Sequence, residues 1–185
     1  MEINSVKDYE SRIKRVLITQ EEIKASLKKA GEFIDSLYDG KPILLVSVLK
    51  GSFVFMADLA REVTVPCEIG FMCVKSYFEG TSSSGNVSIV MDLDRDISGY
   101  HVVVAEDIID TGRTLKQLKQ MFLERNPKSI KICTAFDKPS RRVTDLVPDY
   151  NCFTIPDKFI VGYGLDYDGK YRDYKDVRIV RTDDE

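Results

Sequence analysis

The sequence predicts an α/β fold: a doubly wound, mainly parallel sheet with flanking helices and a small hood of short strands. Three observations predict it. Residues 43–49 and 100–105 are near-continuous apolar runs, as expected for strands buried on both faces of a parallel sheet. Helical periodicity alternates with the strand-like runs, which implies right-handed crossovers. Short strand candidates separated by Pro, Gly and Asp follow towards the end of the chain.

The first helix is announced by a capping box, Thr19 with Glu22, after which Ile23, Leu27, Ala30, Ile34 and Leu37 recur at helical spacing until Gly40 and Pro42 stop the pattern. The strand at 43–49 ends at Lys50-Gly51, and Ser52 is expected to cap a second helix through about residue 61. Residues 68–74 read as the next strand. The stretch 77–86, dominated by Gly, Ser and Thr, reads as a mobile connection, and strand character resumes at 87–91. The run 100–105 leads into a helix over 114–125 and then a strand over 129–136. Short strands are expected at 152–155, 159–161 and 177–180. Ligands of doubly wound sheets sit beyond the carboxyl ends of the strands, so the informative residues should lie there.

Composition narrows the function. A chain of 185 residues suits one domain, 1–185, with the hood drawn from the N-terminal segment and the portion near 139–185. Hydrophobic content of 43% with 31% charged residues matches ordinary soluble proteins. A net charge of -3 without a long basic run leaves no electrostatic footprint for nucleic acid or an anionic membrane. No apolar run approaches the roughly 18 residues of a spanning helix, and the polar start through Arg15 is unlike a secretion signal, so a cytoplasmic protein is expected. Cys67, Cys73, Cys133 and Cys152 are scattered and read as reduced, packed thiols. His101 is the only histidine, which removes Ser-His-Asp triads and multi-histidine metal sites. Carboxylates and lysines must carry the chemistry.

Residues 106–115, EDIIDTGRTL, lie directly after a buried strand and directly before a helix. Thr111, Gly112, Arg113 and Thr114 put successive backbone amides, a flexible glycine and two hydroxyls at a helix N-terminus, which makes a phosphate cradle. Neither GxxxxGK nor GxGxxG is present, so nucleotide hydrolysis and hydride transfer lose support. Glu106 and Asp107 would repel a bare anion. As acceptor-only groups they suit sugar hydroxyls or a magnesium ion, and the combination describes a ribose phosphate. Lys138 follows a strand and precedes Pro139, so it belongs to a strand-end loop; a lysine there favours an oxo acceptor over an amino donor. Taken alone, a lysine such as Lys138 is better read as a surface residue, and a phenylalanine such as Phe159 is more often core than platform.

The segment 106–115 resembles the phosphoribosyl pyrophosphate motif of the phosphoribosyltransferase family, in its hypoxanthine-guanine branch. The resemblance extends in order from about residue 16 to about residue 180. It implies transfer of a phosphoribosyl group from phosphoribosyl pyrophosphate to a 6-oxopurine, Mg2+ as cofactor, and a homodimer or homotetramer. By resemblance, Glu106 and Asp107 hold the ribose hydroxyls and, with Asp166, serve the metal. Asp110, Thr111, Gly112, Arg113 and Thr114 surround the 5'-phosphate, and Asp110 also faces the base as the catalytic proton acceptor. PDKFIVGYGLD, residues 156–166, resembles the base-binding segment, with Phe159 stacking on the purine and main chain near Lys158 and Ile160 touching its edge. Lys138 corresponds to the lysine on the 6-oxo group, and Arg172 to an arginine on the pyrophosphate. Lys50 and Gly51 resemble the pyrophosphate loop, whose Lys-Gly peptide bond can be cis. Ser76 and Tyr77 resemble the root of a lid, although Lys75 stands where the family often has a small residue. The ranking of hypoxanthine, guanine and xanthine is not written in these residues.

Overall fold

The computed structural model of the chain describes residues 6–76 and 87–181. A short helix α1 (Val6–Ser11) and strand β1 (Ile13–Ile18) precede the predicted first helix, α2 (Gln20–Tyr38). The capping box forms: Thr19 Oγ1 accepts from the Glu22 amide at 3.2 Å, and Glu22 Oε2 accepts from the Thr19 amide at 2.8 Å. Ile23, Leu27, Ala30 and Ile34 are buried as expected. Leu37 instead is 40% exposed, and Tyr38, four residues beyond Ile34, continues the buried stripe.

Strand β2 (Ile43–Leu49) is buried up to its last residue and is followed by α3 (Phe53–Glu62). Ser52 does not cap that helix, contrary to expectation. Its Oγ donates to the Val48 carbonyl at 2.5 Å and lies 2.7 Å from Ser47 Oγ; both serines are buried, and the hydroxyl answers the turn carbonyl in preference to helix amides. The chain continues through β3 (Cys67–Ser76), β4 (Val87–Met91), β5 (His101–Ile109), α4 (Arg113–Leu123) and β6 (Ser129–Asp137). A 3-10 turn (Pro139–Arg141) leads to β7 (Tyr150–Thr154), β8 (Ile160–Val161) and β9 (Val177–Val180).

The main sheet has the order β4-β3-β2-β5-β6-β7. All neighbours are parallel except β4, which runs antiparallel to β3 at one edge. One face packs Leu45 and Val103 against Leu27 and Ile34 of α2 and Phe55 and Leu59 of α3. The other packs Val46, Val102 and Val104 against Leu115, Leu118 and Phe122 of α4. Each such side chain, fully buried, contributes roughly 1.5–3 kcal/mol. The hood is a separate antiparallel sheet, β1-β9-β8. Its strand β1 had no sequence signal because three consecutive residues, Lys14, Arg15 and Val16, are exposed, leaving no apolar alternation to read.

Cys133 is buried and the other three cysteines are half-buried and unpaired, as free thiols. Among the described residues no helix is long and apolar enough to cross a membrane. Ser76 ends β3, while Tyr77 and the rest of the 77–86 connection lie outside the described residues.

A close contact between α2 and α3 passes over Gly31 of α2. A Cβ there would stand 2.6 Å from the Glu62 carbonyl oxygen and 2.8 Å from its carbon. Gly31→Val should therefore destabilise the chain by roughly 1–3 kcal/mol, read as a lower urea midpoint at unchanged slope. An unchanged midpoint would show that α2 and α3 can separate freely.

Candidate active site

Three neighbouring parallel strands, β2, β5 and β6, deliver Lys50, Asp110 and Lys138 to the same carboxyl edge of the sheet. Strand β5 ends at Ile109, and Gly112 opens α4 in the left-handed region at φ 80°. Besides its positive φ, Gly112 meets a steric limit: a Cβ would lie 2.3 Å from Thr144 Oγ1 and 2.8 Å from Arg142 Cδ. The first amides of α4 have no partners within the helix, and the Arg113 amide approaches Thr111 Oγ1 at 3.4 Å. This end of the helix suits an anion.

Arg142 holds the turn from behind. Its Nε donates to the Asp110 carbonyl at 2.9 Å, its Nη1 to Leu146 O at 2.5 Å and its Nη2 to Ile109 O at 3.4 Å, and it pairs with Asp137 at the end of β6. The Val143 amide adds a bond to Thr111 O at 3.1 Å. Sequence reading singled out neither Arg141 nor Arg142, because two adjacent arginines are equivalent as letters. The 3-10 turn separates them: Arg141 points to the opposite side, with Nε 2.9 Å from Asp110 Oδ1 and Nη1 3.6 Å from Asp157 Oδ1. The Arg141–Asp110 contact is an ion pair without hydrogen-bond alignment.

Lys138 is buried at 8% exposure, and its amide bonds Ile109 O at 3.0 Å, which fixes it beside the turn. Burial lowers its pKa, while the charges of Asp110 and Asp157 partly oppose that shift. No ion pair with its ammonium is found among the described residues. Phe159 is 43% exposed and meets the Tyr167 ring edge-on at 5.2 Å. Ile160 is buried and registers with Ile179 in the hood.

On the far side of the turn stand Lys50, Gly51, Glu106, Asp107, Asp166 and Arg172. A Cβ at Gly51 would fall 1.5 Å from Asp107 Oδ2, and one at Gly164 would fall 2.1 Å from the Gly51 carbonyl oxygen. The cis peptide bond in this loop is Leu49–Lys50, one residue earlier than the Lys50-Gly51 bond named from sequence. Gly51 answers a different requirement, the close approach of Asp107. Arg172 Nη2 pairs with Asp166 Oδ1 at 2.7 Å, and its Nη1 donates to the Gly164 carbonyl at 2.7 Å.

Burial pushes the Glu106 carboxyl well above the usual carboxylate range, and the neighbouring Asp107 charge adds to it. Burial also pushes Asp107 up to about 6, against the opposing pull of the Ile108 amide and Arg172. Glu106 Oε2 is shielded from solvent and has no hydrogen-bond partner among the described residues. Two acids that resist ionising together are suited by hydroxyl donors or a cation. Among the described residues, no group of three or more His, Cys, Asp or Glu forms a preassembled metal cluster.

A family model for the phosphoribosyl transferase domain matches residues 13–168. The hypoxanthine-guanine phosphoribosyltransferase of Streptococcus pneumoniae is 47% identical over 174 residues, covering 94% of this chain and 97% of its own length. That of Streptococcus mutans is 48% identical with the same coverage. A crystal structure of a Bacillus anthracis hypoxanthine-guanine phosphoribosyltransferase, with HEPES in its active site, matches with TM-score 0.89 at 43% identity, covering 91% of this chain and 99% of that one. A hypoxanthine phosphoribosyltransferase structure from Staphylococcus aureus matches with TM-score 0.91 at 40% identity, covering 97% of each chain. Sheet order, hood and carboxyl-edge site thus coincide with a near-full-length sequence match, and the chain belongs to the phosphoribosyltransferase family.

Proposed function

We propose that the chain transfers the 5-phosphoribosyl group from phosphoribosyl pyrophosphate to hypoxanthine or guanine, giving IMP or GMP and pyrophosphate, as a cytoplasmic enzyme of purine salvage. The observation that carries this reading is the turn after β5: a helix start suited to an anion, flanked by an aspartate and a buried lysine on one side and by two acids on the other. A plain phosphate site has no use for the acids, and a nucleotide-hydrolysing site would need a different loop. The names carried by the near-full-length relatives support the same substrates.

In this reading the amides and hydroxyls of Thr111, Gly112, Arg113 and Thr114 hold the 5'-phosphate. The purine lies on the exposed Phe159 ring, with main chain near Ile160 at its edge and Lys138 donating to the 6-oxo group. Asp110 accepts the N7 proton as N9 attacks C1 of the ribose. The bond to pyrophosphate breaks, positive charge develops on the sugar, and Glu106 and Asp107 stabilise it. Arg172 and the Lys50-Gly51 loop take the negative charge of the leaving group. The donor set fits Mg2+: Glu106, Asp107 and Asp166 offer hard oxygens, Glu106 Oε2 lacks a partner among the described residues, and magnesium ordinarily combines one or two carboxylates with substrate oxygens. When bound, the ion neutralises the pyrophosphate. Ser76 and Tyr77 belong to the lid that shields the reaction, and the working unit is a homodimer or homotetramer.

General base catalysis is worth about 10²- to 10⁴-fold, so Asp110→Asn should lower IMP formation by that range with the melting temperature unchanged. Near-normal turnover would remove Asp110 from the role. Lys138→Ala should raise the KM for hypoxanthine roughly 10-fold or more, the loss of a charged hydrogen bond, and move the KM for phosphoribosyl pyrophosphate much less. Equal losses for both substrates would contradict the assignment.

A further inference from the structure

The N-terminal helix α1 reaches the candidate site through the side chain of Tyr9. The Tyr9 hydroxyl accepts a hydrogen bond from the Tyr171 amide and donates to Asp173 Oδ1 at 3.1 Å. These two partners are the residues on either side of Arg172. The Tyr9 ring lies against Tyr171 with centroids 4.1 Å apart and faces Tyr174 at 5.8 Å. Tyr171 is buried at 1% exposure with a positive φ of 73°, a backbone state that an L-residue holds only under outside constraint. Tyr9 supplies that constraint on both sides of one arginine.

Arg172 in turn is fixed at three atoms. Its carbonyl accepts from the Gly164 amide at 3.0 Å, its Nη1 donates to the Gly164 carbonyl at 2.7 Å, and its Nη2 pairs with Asp166 at 2.7 Å. Gly164 touches the Gly51 carbonyl so closely that a Cβ would not fit, and Gly51 touches Asp107 in the same way. A continuous series of tight contacts therefore runs from α1 to the Lys50-Gly51 loop and the acids of β5. Packed cores transmit displacement along such contacts because they contain no slack to absorb it. Burial pushes the Tyr9 phenol up to about 12, so the hydroxyl stays protonated and keeps both of its bonds at neutral pH.

We infer that Tyr9 is a positioning residue for the leaving-group end of the site, acting on pyrophosphate through Arg172. The inference rests on the reading of Arg172 as a pyrophosphate ligand. Without the Tyr9 hydroxyl the backbone on both sides of Arg172 loses a hydrogen-bonded anchor, whereas Lys138 is fixed at the end of β6 by its own amide bond to Ile109.

The test is steady-state kinetics of Tyr9→Phe, which keeps the stacked ring and removes only the hydroxyl. Its KM for phosphoribosyl pyrophosphate and its inhibition constant for pyrophosphate should both rise roughly 5- to 10-fold, as partial loss of the alignment given by the two hydrogen bonds of the hydroxyl implies. The kcat and the KM for hypoxanthine should stay within about 2-fold. Asp173→Ala should reproduce the effect, and Asp173→Asn, which keeps an acceptor for the hydroxyl, should behave as the unaltered chain. An unmoved KM for phosphoribosyl pyrophosphate in Tyr9→Phe, or equal losses for both substrates, would overturn the inference if Arg172→Lys still raises that KM. If Arg172→Lys also leaves it unmoved, the pyrophosphate role of Arg172 is what fails, and the inference fails with it.

Discussion

The site depends on the buried fork of Arg142 behind the strand-to-helix turn. Its guanidinium gathers the carbonyls of Ile109, Asp110 and Leu146 and pairs with Asp137, with both charged side chains about nine-tenths buried. Breaking a buried pair of this kind typically costs roughly 3–5 kcal/mol, because the remaining charge has nowhere to go. The turn carbonyls are thereby drawn backwards. The start of α4, with the partial positive charge of a helix N-terminus, follows directly on that turn.

Holding an anionic sugar phosphate pyrophosphate next to Glu106 and Asp107 looks unfavourable at first, and in the proposed reading the arrangement resolves it by separation. In the proposed reading phosphate recognition falls to backbone dipoles and Arg172, while the acids are buried enough to carry their charge reluctantly. A site that is reluctant to ionise in its empty state gains most when a hydroxyl-bearing, cation-associated substrate arrives. The same logic applies to Lys138, whose desolvated ammonium feels the charges of Asp110 and Asp157 but forms no ion pair among the described residues. Functional groups here are kept incompletely satisfied, and the surrounding structure holds them that way.

The sheet was legible because buried parallel strands are written as apolar runs, and α2 because its capping box and stripe agree. Strand β1 was illegible because its exposed face erases the alternation, and the cap expected from Ser52 failed because a nearby carbonyl competed for the hydroxyl. Residues 106–115 could be read as a site since the chemistry is contiguous. The Arg142 fork and the Tyr9 contact could not, because each joins residues more than thirty or one hundred and sixty positions apart. The cis bond was misplaced by one residue because letters carry no information on peptide geometry, and Gly51 drew attention for a steric reason of its own.

The central claim is that the turn formed by Asp110 to Thr114 grips a ribosyl 5'-phosphate. Backbone amide chemical shifts recorded during titration test it most directly, with IMP compared against inosine, which differs only in lacking the phosphate. The account predicts that the amides of Thr111, Gly112, Arg113 and Thr114 move with IMP and stay in place with inosine at equal occupancy. Identical shifts with both ligands, or shifts confined to other parts of the sheet, would contradict it.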